Sequence, residues 1–210
     1  VNQSHGHGLS MVWTNTLSYD FNIATEHHIN ALIGSELSTY DGSNTEGSNT
    51  GLIPGFDDWD HAYLVNTNGT ENKTVKGSPY DSTRGMSYFA RLGWTWKERY
   101  MVNATMRADG SSKFAKGNRW GYFPSVSAGW TISEEKFMES VKSWFDFLKI
   151  RVSWGQVGNA NINCYQYLAP VSTTNTNYNF GSGGGQDAWV TGSYTSRLAN
   201  EKVKWELSLI

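Results

Sequence analysis

The segment Phe56-Asp57-Asp58-Trp59-Asp60-His61 holds the densest group of ligand-type side chains in the chain. Several carboxylate oxygens close together are what a calcium ion requires, and an aromatic ring beside them offers a platform for a sugar. Asp57, Asp58, Trp59 and Asp60 are therefore candidates to bind a ligand. Their spacing does not match the Asp-x-Asp-x-Asp-Gly calcium loop, so a solvent-exposed acidic turn is the simpler interpretation.

Signals for catalysis and for bound cofactors or metals are absent from the sequence. It contains neither a Gly-x-Ser-x-Gly elbow nor a His-Glu-x-x-His helix. The pairs His5/His7 and His27/His28 have no cysteine or acidic cluster nearby at a recognised ligand spacing. The single Cys164 excludes an internal disulfide framework and a cysteine-rich zinc site. The sequence predicts no enzyme, no cofactor and no metal.

A second group of charged residues, Arg91, Arg107, Asp109 and Arg151, lies in stretches where apolar and polar residues alternate. The clearest stretch is 100–109, in which one face carries Tyr100, Val102, Ala104, Met106 and Ala108 and the other Asn103, Thr105, Arg107 and Asp109. Similar alternation predicts strands near residues 13–21, 29–37, 86–96, 120–132, 148–154 and 203–209. A soluble sandwich would turn the apolar face inward, whereas a barrel in a membrane would turn it towards lipid.

The connections between these strands alternate in length. Residues 97–99 form a short link, as do those between Phe21 and Ile29, whereas 41–84 and 158–188 are long and polar. Short turns at one end and long loops at the other are typical of outer-membrane barrels, so the long segments are predicted to be extracellular. Trp96 and Tyr100 flank a short turn, where an aromatic girdle would meet the membrane boundary.

Composition agrees with strands rather than helices as the membrane-spanning elements. The chain has 10 Trp, 11 Tyr and 9 Phe but only 4 Pro, and it has no apolar run of about 18 residues. The formal net charge is -2 and the basic residues are scattered along the sequence, so nucleic acid is not a predicted partner. The alternating run that ends at Ile210 and the absence of an initiator Met favour an internal fragment of a longer polypeptide.

In segment 133–141 the spacing of the apolar residues changes from that of a strand to that of a helix. Ser133 is placed to cap a helix, Glu134 and Glu135 suit its first turn, and Phe137 and Val141 lie four residues apart on one face. The sequence predicts one short helix here, covering the short-turn end of the barrel. The glycine-rich segment 181–185 lacks the Lys-Ser or Lys-Thr of a phosphate loop and is expected to be a loop tip.

An ordered series of motifs runs through the middle of the chain and resembles the SusC/RagA family of TonB-linked outer-membrane transporters. A further segment, Lys204-Trp205-Glu206, is similar to a later part of the family. The motifs that carry the resemblance are Ser87–Arg91, Arg107–Phe114, Asn118–Trp130, Ile132–Phe137 and Leu148–Asn159.

The resemblance implies an all-β fold, an antiparallel meander of about six to eight strands that forms part of a large transmembrane β-barrel, with the short helix in a periplasmic turn. It implies import of glycans or other oligomeric nutrients, including peptides, with a SusD-like surface lipoprotein and the TonB complex as partners. The family's plug domain and TonB-contacting segment are not found in residues 1–210. Arg91, Arg107, Asp109 and Arg151 would then face the lumen, where they can pair with one another, contact the plug or line the substrate path.

Two other functions stay open. The long loops of a non-transporting outer-membrane barrel or adhesin could bind a surface ligand. A secreted β-sandwich hydrolase would need a pair of inward-facing catalytic carboxylates. Glu36 and Asp109 are the notable acids in the predicted strands, and no spacing relates them.

Overall fold

The computed structural model describes residues 1–70, 73–141, 144, 146–173, 176–179 and 189–210, without the side chains of 78–81. The predicted antiparallel meander is confirmed, with one sheet of seven strands in the order β1-β2-β3-β4-β5-β6-β11 and two small pairs, β7 with β10 and β8 with β9. The glycine-rich segment 181–185 lies outside the described residues. The strands are β1 Asn2–Ile23, β2 His27–Ser48, β3 Thr74–Trp96, β4 Tyr100–Ser111, β5 Trp120–Thr131, β6 Lys149–Asn159, β7 Val171–Ser172, β8 Asn177–Asn179, β9 Trp189–Thr191, β10 Tyr194–Thr195 and β11 Glu206–Leu209.

The chain divides into two compact units, and the first three strands run through both. The larger unit comprises residues 16–34 and 87–210. Its tight turns at 24–26 and 97–99 are left-handed at non-glycine residues, with φ of 55° at Ala24, 52° at Lys97 and 59° at Glu98. A backbone bond from Lys97 N to Glu26 O (2.8 Å) and an ion pair between the same residues (3.2 Å) hold the two turns together.

The smaller unit comprises residues 1–15 and 35–86. Here β2 extends to Ser48 and β3 begins at Thr74, so the connection is 49–73 and shorter than the predicted loop 41–84. The alternation of apolar and polar residues did not reveal these strand ends because they are largely polar on both faces. Polar cross-strand pairs join them instead. Arg84 Nη2 binds both carboxylate oxygens of Asp41, at 2.8 and 2.9 Å, and the hydroxyls of Ser48 and Thr74 are hydrogen-bonded.

The predicted short helix is two 3₁₀ segments, Ile132–Glu134 and Lys136–Val141. Capping by Ser133 is wrong, since Ser133 lies inside the first segment with 2% of its surface exposed and Thr131 occupies the cap position without a side-chain bond. A 3₁₀ helix has three residues per turn, so residues four apart do not share a face. Phe137 and Val141 therefore do not form the predicted apolar face, and both are exposed.

The described residues include two further 3₁₀ turns, Trp59–His61 and Leu64–Asn66. In the part of the chain that the structure covers, no helix combines the length and apolar character needed to cross a membrane.

Candidate functional site

The register of β4, β5 and β6 separates their side chains into two chemically different faces. Because directly paired residues point the same way, each cross-strand row belongs to one face. One face is polar, and its rows are Met101/Gly129/Arg151, Asn103/Ser127/Ser153, Thr105/Ser125/Gly155, Arg107/Phe123 and Asp109/Gly121. The other is apolar, and its rows are Tyr100/Trp130/Ile150, Val102/Ala128/Val152, Ala104/Val126/Trp154, Met106/Pro124, Ala108/Tyr122 and Gly110/Trp120.

The apolar face is the exposed one. Val102 and Met106 are 37% and 44% exposed, and Tyr122 and Trp130 are exposed as well. On the polar face Phe123 is only 8% exposed. A water-soluble sheet has the opposite arrangement, because exposing this much contiguous apolar surface to water is unfavourable.

Arg107 and Asp109 form the centre of the polar face. Arg107 Nε donates to the two carboxylate oxygens of Asp109 at 2.7 and 2.9 Å. Its Nη2 donates to the buried Ser87 Oγ at 3.1 Å, and its guanidinium carbon lies 5.5 Å from the centre of the Phe89 ring. These contacts orient the guanidinium group and neutralise most of its charge.

The other two predicted residues lie apart from this pair. Arg91 Nη2 is 3.5 Å from Asn103 Oδ1, and Arg151 is exposed in the row with Gly129. Sequence reasoning missed Lys149, which pairs with Thr131 two residues before Arg151 and so shares its face. Among these five residues Asp109 is the only acid, so this part of the polar face carries excess positive charge.

A groove of about 510 Å³ runs along the polar face. Beside the Arg107–Asp109 pair, its lining combines apolar groups, among them Phe123, Trp154, Val157 and Ile210, with the hydroxyl and amide side chains of Asn103, Thr105, Ser125, Ser127, Ser153 and Gln156. Such groups donate and accept hydrogen bonds, so the groove suits a polar ligand or a hydrated protein surface.

An aromatic cluster that the sequence analysis did not anticipate lies beside the groove. Phe123 packs edge-on against Trp205 at 5.3 Å between ring centres, and the fully buried Phe114 lies 5.3 Å from the same indole. A Cβ on Gly158 would lie 2.1 Å from Phe123 Cζ, so only glycine leaves room for the ring. All four residues occur in the motifs that carry the family resemblance, which was the available signal.

Glu135 joins the elements at the short-turn end. Its carboxylate accepts hydrogen bonds from Tyr100 Oη and from Trp130 Nε1 (3.1 Å), and it lies 3.4 Å from Arg99 Nη1. These donors, chiefly the Tyr100 hydroxyl, hold the pKa of Glu135 below its ordinary value.

Aromatic rings stack on one another at the same end, where the sequence predicts a girdle. Trp96 stacks on Tyr100 at 5.3 Å, and Tyr100 stacks on Trp130 at 6.4 Å. A second stacked pair, Tyr88 and Trp120 at 6.1 Å, marks the opposite end of the apolar face.

The acidic segment 56–61 forms a turn held by Asp58. The Asp58 carboxylate contacts His61 Nδ1 at 2.8 Å and accepts a hydrogen bond from His61 N at 2.9 Å, and these bonds, chiefly the first, lower its pKa. Trp59 is 96% exposed. Within the described residues no group of three His, Cys, Asp or Glu side chains is placed to hold a metal ion.

Comparison with known proteins gives consistent matches along the chain. The family model described as TonB dependent receptor-like, beta-barrel, matches residues 2–209. TonB-dependent receptor P26 of Formosa agariphila is 32% identical over 195 residues, which are 91% of this chain and 18% of that protein. TonB-dependent receptor SusC of Bacteroides thetaiotaomicron is 42% identical over 124 residues, 58% of this chain and 12% of that protein.

Solved structures agree with the sequence matches. The RagAB peptide importer in its closed-closed state superposes with a TM-score of 0.79 at 25% identity, covering 99% of this chain and 21% of the matched chain. Its open-open state gives the same score, identity and coverage. The chain therefore spans about a fifth or less of the proteins that it matches.

Proposed function

Because the chain belongs to the TonB-dependent receptor β-barrel family, we propose that its sheet forms part of the wall of a barrel that imports an oligomeric nutrient. Members of this family are outer-membrane proteins and act as transporters rather than enzymes. The observation that carries the proposal is the inverted sheet, whose apolar face is exposed and whose polar face holds the charges.

The dimensions of the apolar face support a membrane-spanning role. The row Tyr100/Trp130 and the row Ala108/Tyr122 are separated by eight residues of β4. At about 3.4 Å per residue and a strand tilt of about 40°, this corresponds to a height of about 21 Å. The apolar band of outer-membrane barrels is about 25 Å tall and has aromatic residues at both edges.

In this orientation the polar face lines the lumen. Arg91, Arg107, Asp109 and Arg151 would face the interior, with the Arg107–Asp109 pair serving mainly to hold the wall and the more exposed Arg151 available to the plug or to a passing nutrient. The connections 49–73 and 160–205 would be extracellular, which would present Asp57, Asp58, Trp59 and Asp60 to ligands outside the cell.

The proposed partners are a SusD-like surface lipoprotein, the TonB complex and a glycan or peptide substrate. The likeness to the RagAB peptide importer supports peptides, and the likeness to SusC supports membership of the same transporter group. Both a plug and a TonB-contacting segment would have to come from parts of the protein outside residues 1–210.

Transport by the full-length protein tests this proposal. Cells carrying the complete gene, a deletion of it, or a deletion of TonB would be given fluorescent oligopeptides and oligosaccharides. We expect uptake of one of these classes in the first strain and loss of uptake in both deletions. Surface binding that persists without TonB and never leads to uptake would instead identify the adhesin alternative.

A further inference from the structure

The connection between β5 and β6 exposes large apolar side chains beyond the end of the sheet. They are Phe137, Val141, Trp144, Phe147 and Leu148. Trp144 is 87% exposed and Phe147 is 69% exposed. Several such side chains in one short segment indicate a surface that is covered in the complete protein. We call residues 136–141, 144 and 146–148 the apolar connection.

The apolar connection begins on the apolar face of the sheet. Glu135, directly before it, accepts hydrogen bonds from Tyr100 Oη and from Trp130 Nε1, the latter at 3.1 Å. Tyr100 and Trp130 are directly paired and form the row of that face at the short-turn end of β4. Because one carboxylate is bonded to both side chains, it lies on their side of the sheet. The chain therefore leaves β5 on the apolar side.

The apolar connection also ends beside the same row. Ile150 is the second residue of β6 and is paired with Trp130. Leu148, two residues earlier, is 36% exposed, and its carbonyl oxygen accepts a hydrogen bond from Ser133 N at 3.2 Å. The alternation of β6, extended by one residue, places Leu148 on the side of Ile150. Both ends of the connection thus adjoin the face that we assign to lipid.

The 3₁₀ segment 136–141, which opens the apolar connection, has one charged side. Residues three apart in a 3₁₀ helix lie above one another, so Lys136 and Glu139 share one side. Met138 and Val141 share another side, which is apolar. A segment with charges on one side and apolar groups on another suits the boundary between lipid and water, because its charged side can stay hydrated.

We infer that the apolar connection lies in the periplasmic interface of the outer membrane, with Phe137, Trp144 and Phe147 among the lipid headgroups and the ends of the acyl chains next to them. The inference rests on the proposed function, since it requires the apolar face to contact lipid. Lipid is the expected partner because the connection leaves and rejoins the sheet at the edge of that face, and aromatic rings favour this depth. The connection then adds to the predicted girdle instead of covering the short-turn end of the barrel.

Spin labels on the full-length protein in nanodiscs of phosphatidylethanolamine and phosphatidylglycerol test the inference. Each label is attached to one introduced cysteine, in a background in which Cys164 and any other cysteine are replaced by serine. Trp144→Cys and Phe147→Cys report on the apolar connection. Glu139→Cys is the matched control, because it is exposed on the charged side of the same connection. The measured quantity is the ratio of collision rates with oxygen, which concentrates in lipid, and with a water-soluble nickel chelate.

Two further labels calibrate that ratio. Ala104→Cys, at an exposed position of the apolar face, gives the value for a label in lipid. Trp59→Cys, at a residue that is 96% exposed, gives the value for a label in water. We expect the ratios at Trp144→Cys and Phe147→Cys to be several-fold higher than those at Glu139→Cys and Trp59→Cys, because only the apolar side chains enter the lipid interface.

Two results would overturn the inference while leaving the proposed function intact. One is a ratio at Trp144→Cys equal to that at Trp59→Cys, which would place the connection in water. The other is a low collision rate with both reagents, which would show that protein covers the connection. A water-like ratio at Ala104→Cys would instead refute the proposed function itself, so the two failures are distinguishable.

Discussion

The two faces of β4, β5 and β6 are formed by neighbouring residues of the same strands, yet they differ in both chemistry and exposure. The apolar face carries no charge from Tyr100 to Ala108 and is exposed, whereas the polar face is bridged by hydrogen bonds around Arg107 and by the packing of Phe123. The polar face therefore supplies the ion pair and the ring packing at the centre of this sheet. The apolar face has no charged side chain, and its contribution to stability depends on whether it contacts lipid or water.

The largest effect is expected from placing the same charge on each face in turn. Ala104→Arg puts a guanidinium on the apolar face near its middle, where an arginine in lipid costs about 2–4 kcal/mol. Thr105→Arg, one residue later, lies in the polar groove and should cost much less. The readout is assembly of the full-length protein in the outer membrane.

Each variant is the control for the other, because both introduce one arginine and the two positions are adjacent in β4. Equal tolerance of both would mean that the face with Ala104 never meets lipid. Greater damage from Thr105→Arg would indicate a soluble protein whose core lies on the polar side.

An intermediate effect is expected from filling space on the polar face. Gly158→Ala places a methyl group against the Phe123 ring, and overpacking of this kind costs about 1–3 kcal/mol. Gly129→Ala is the matched control, since its Cβ would be 3.4 Å from Lys149 Cε, an ordinary contact. Thermal unfolding of the full-length protein in detergent measures both. If Gly158→Ala were as stable as Gly129→Ala, the ring would not be fixed over Gly158.

The smallest effect is expected where the apolar face meets the short-turn end, at Glu135. The pKa of this carboxyl is below its ordinary value of 4.5, so its bonds to Tyr100 and Trp130 favour the folded state above that value. Protonation should remove this contribution as the pH falls through the lowered pKa. Thermal stability measured from pH 7 to pH 3 should therefore decrease less steeply in Glu135→Gln than in the unsubstituted protein. Identical pH profiles would show that the carboxylate contributes nothing to stability.

The sequence predicted the central strands because each of their faces meets one kind of environment. Alternation in 86–96, 100–109 and 120–132 therefore placed Arg107 and Asp109 on one side and Ala104 on the other, as the register has them. The ends of β2 and β3 were missed, since strands that are polar on both faces carry no period-2 signal.

The long-range contacts could not be predicted from local pattern. Trp205 contacts Phe114 and Arg119, which are more than 80 residues away in the sequence, and no pattern near Trp205 indicates these contacts. Asp58 is a different case. Its capping bond to His61 is local, and the three-residue spacing was visible, but the same residues also fitted a ligand site.

The order of strands in the sheet also has a consequence for the kinetics of assembly. Neighbouring strands from β1 to β6 are consecutive in the chain, so each can join its predecessor as a hairpin, whereas β11 pairs with β6 only after residues 160–205 have closed into a loop. Compared with the eight-residue connection 112–119, closing that loop costs about 1.5 kcal/mol more in chain entropy. Docking of β11 is therefore expected to be slower than the hairpin pairings, and the Trp205 contacts with Phe114 and Arg119 hold the docked strand in place.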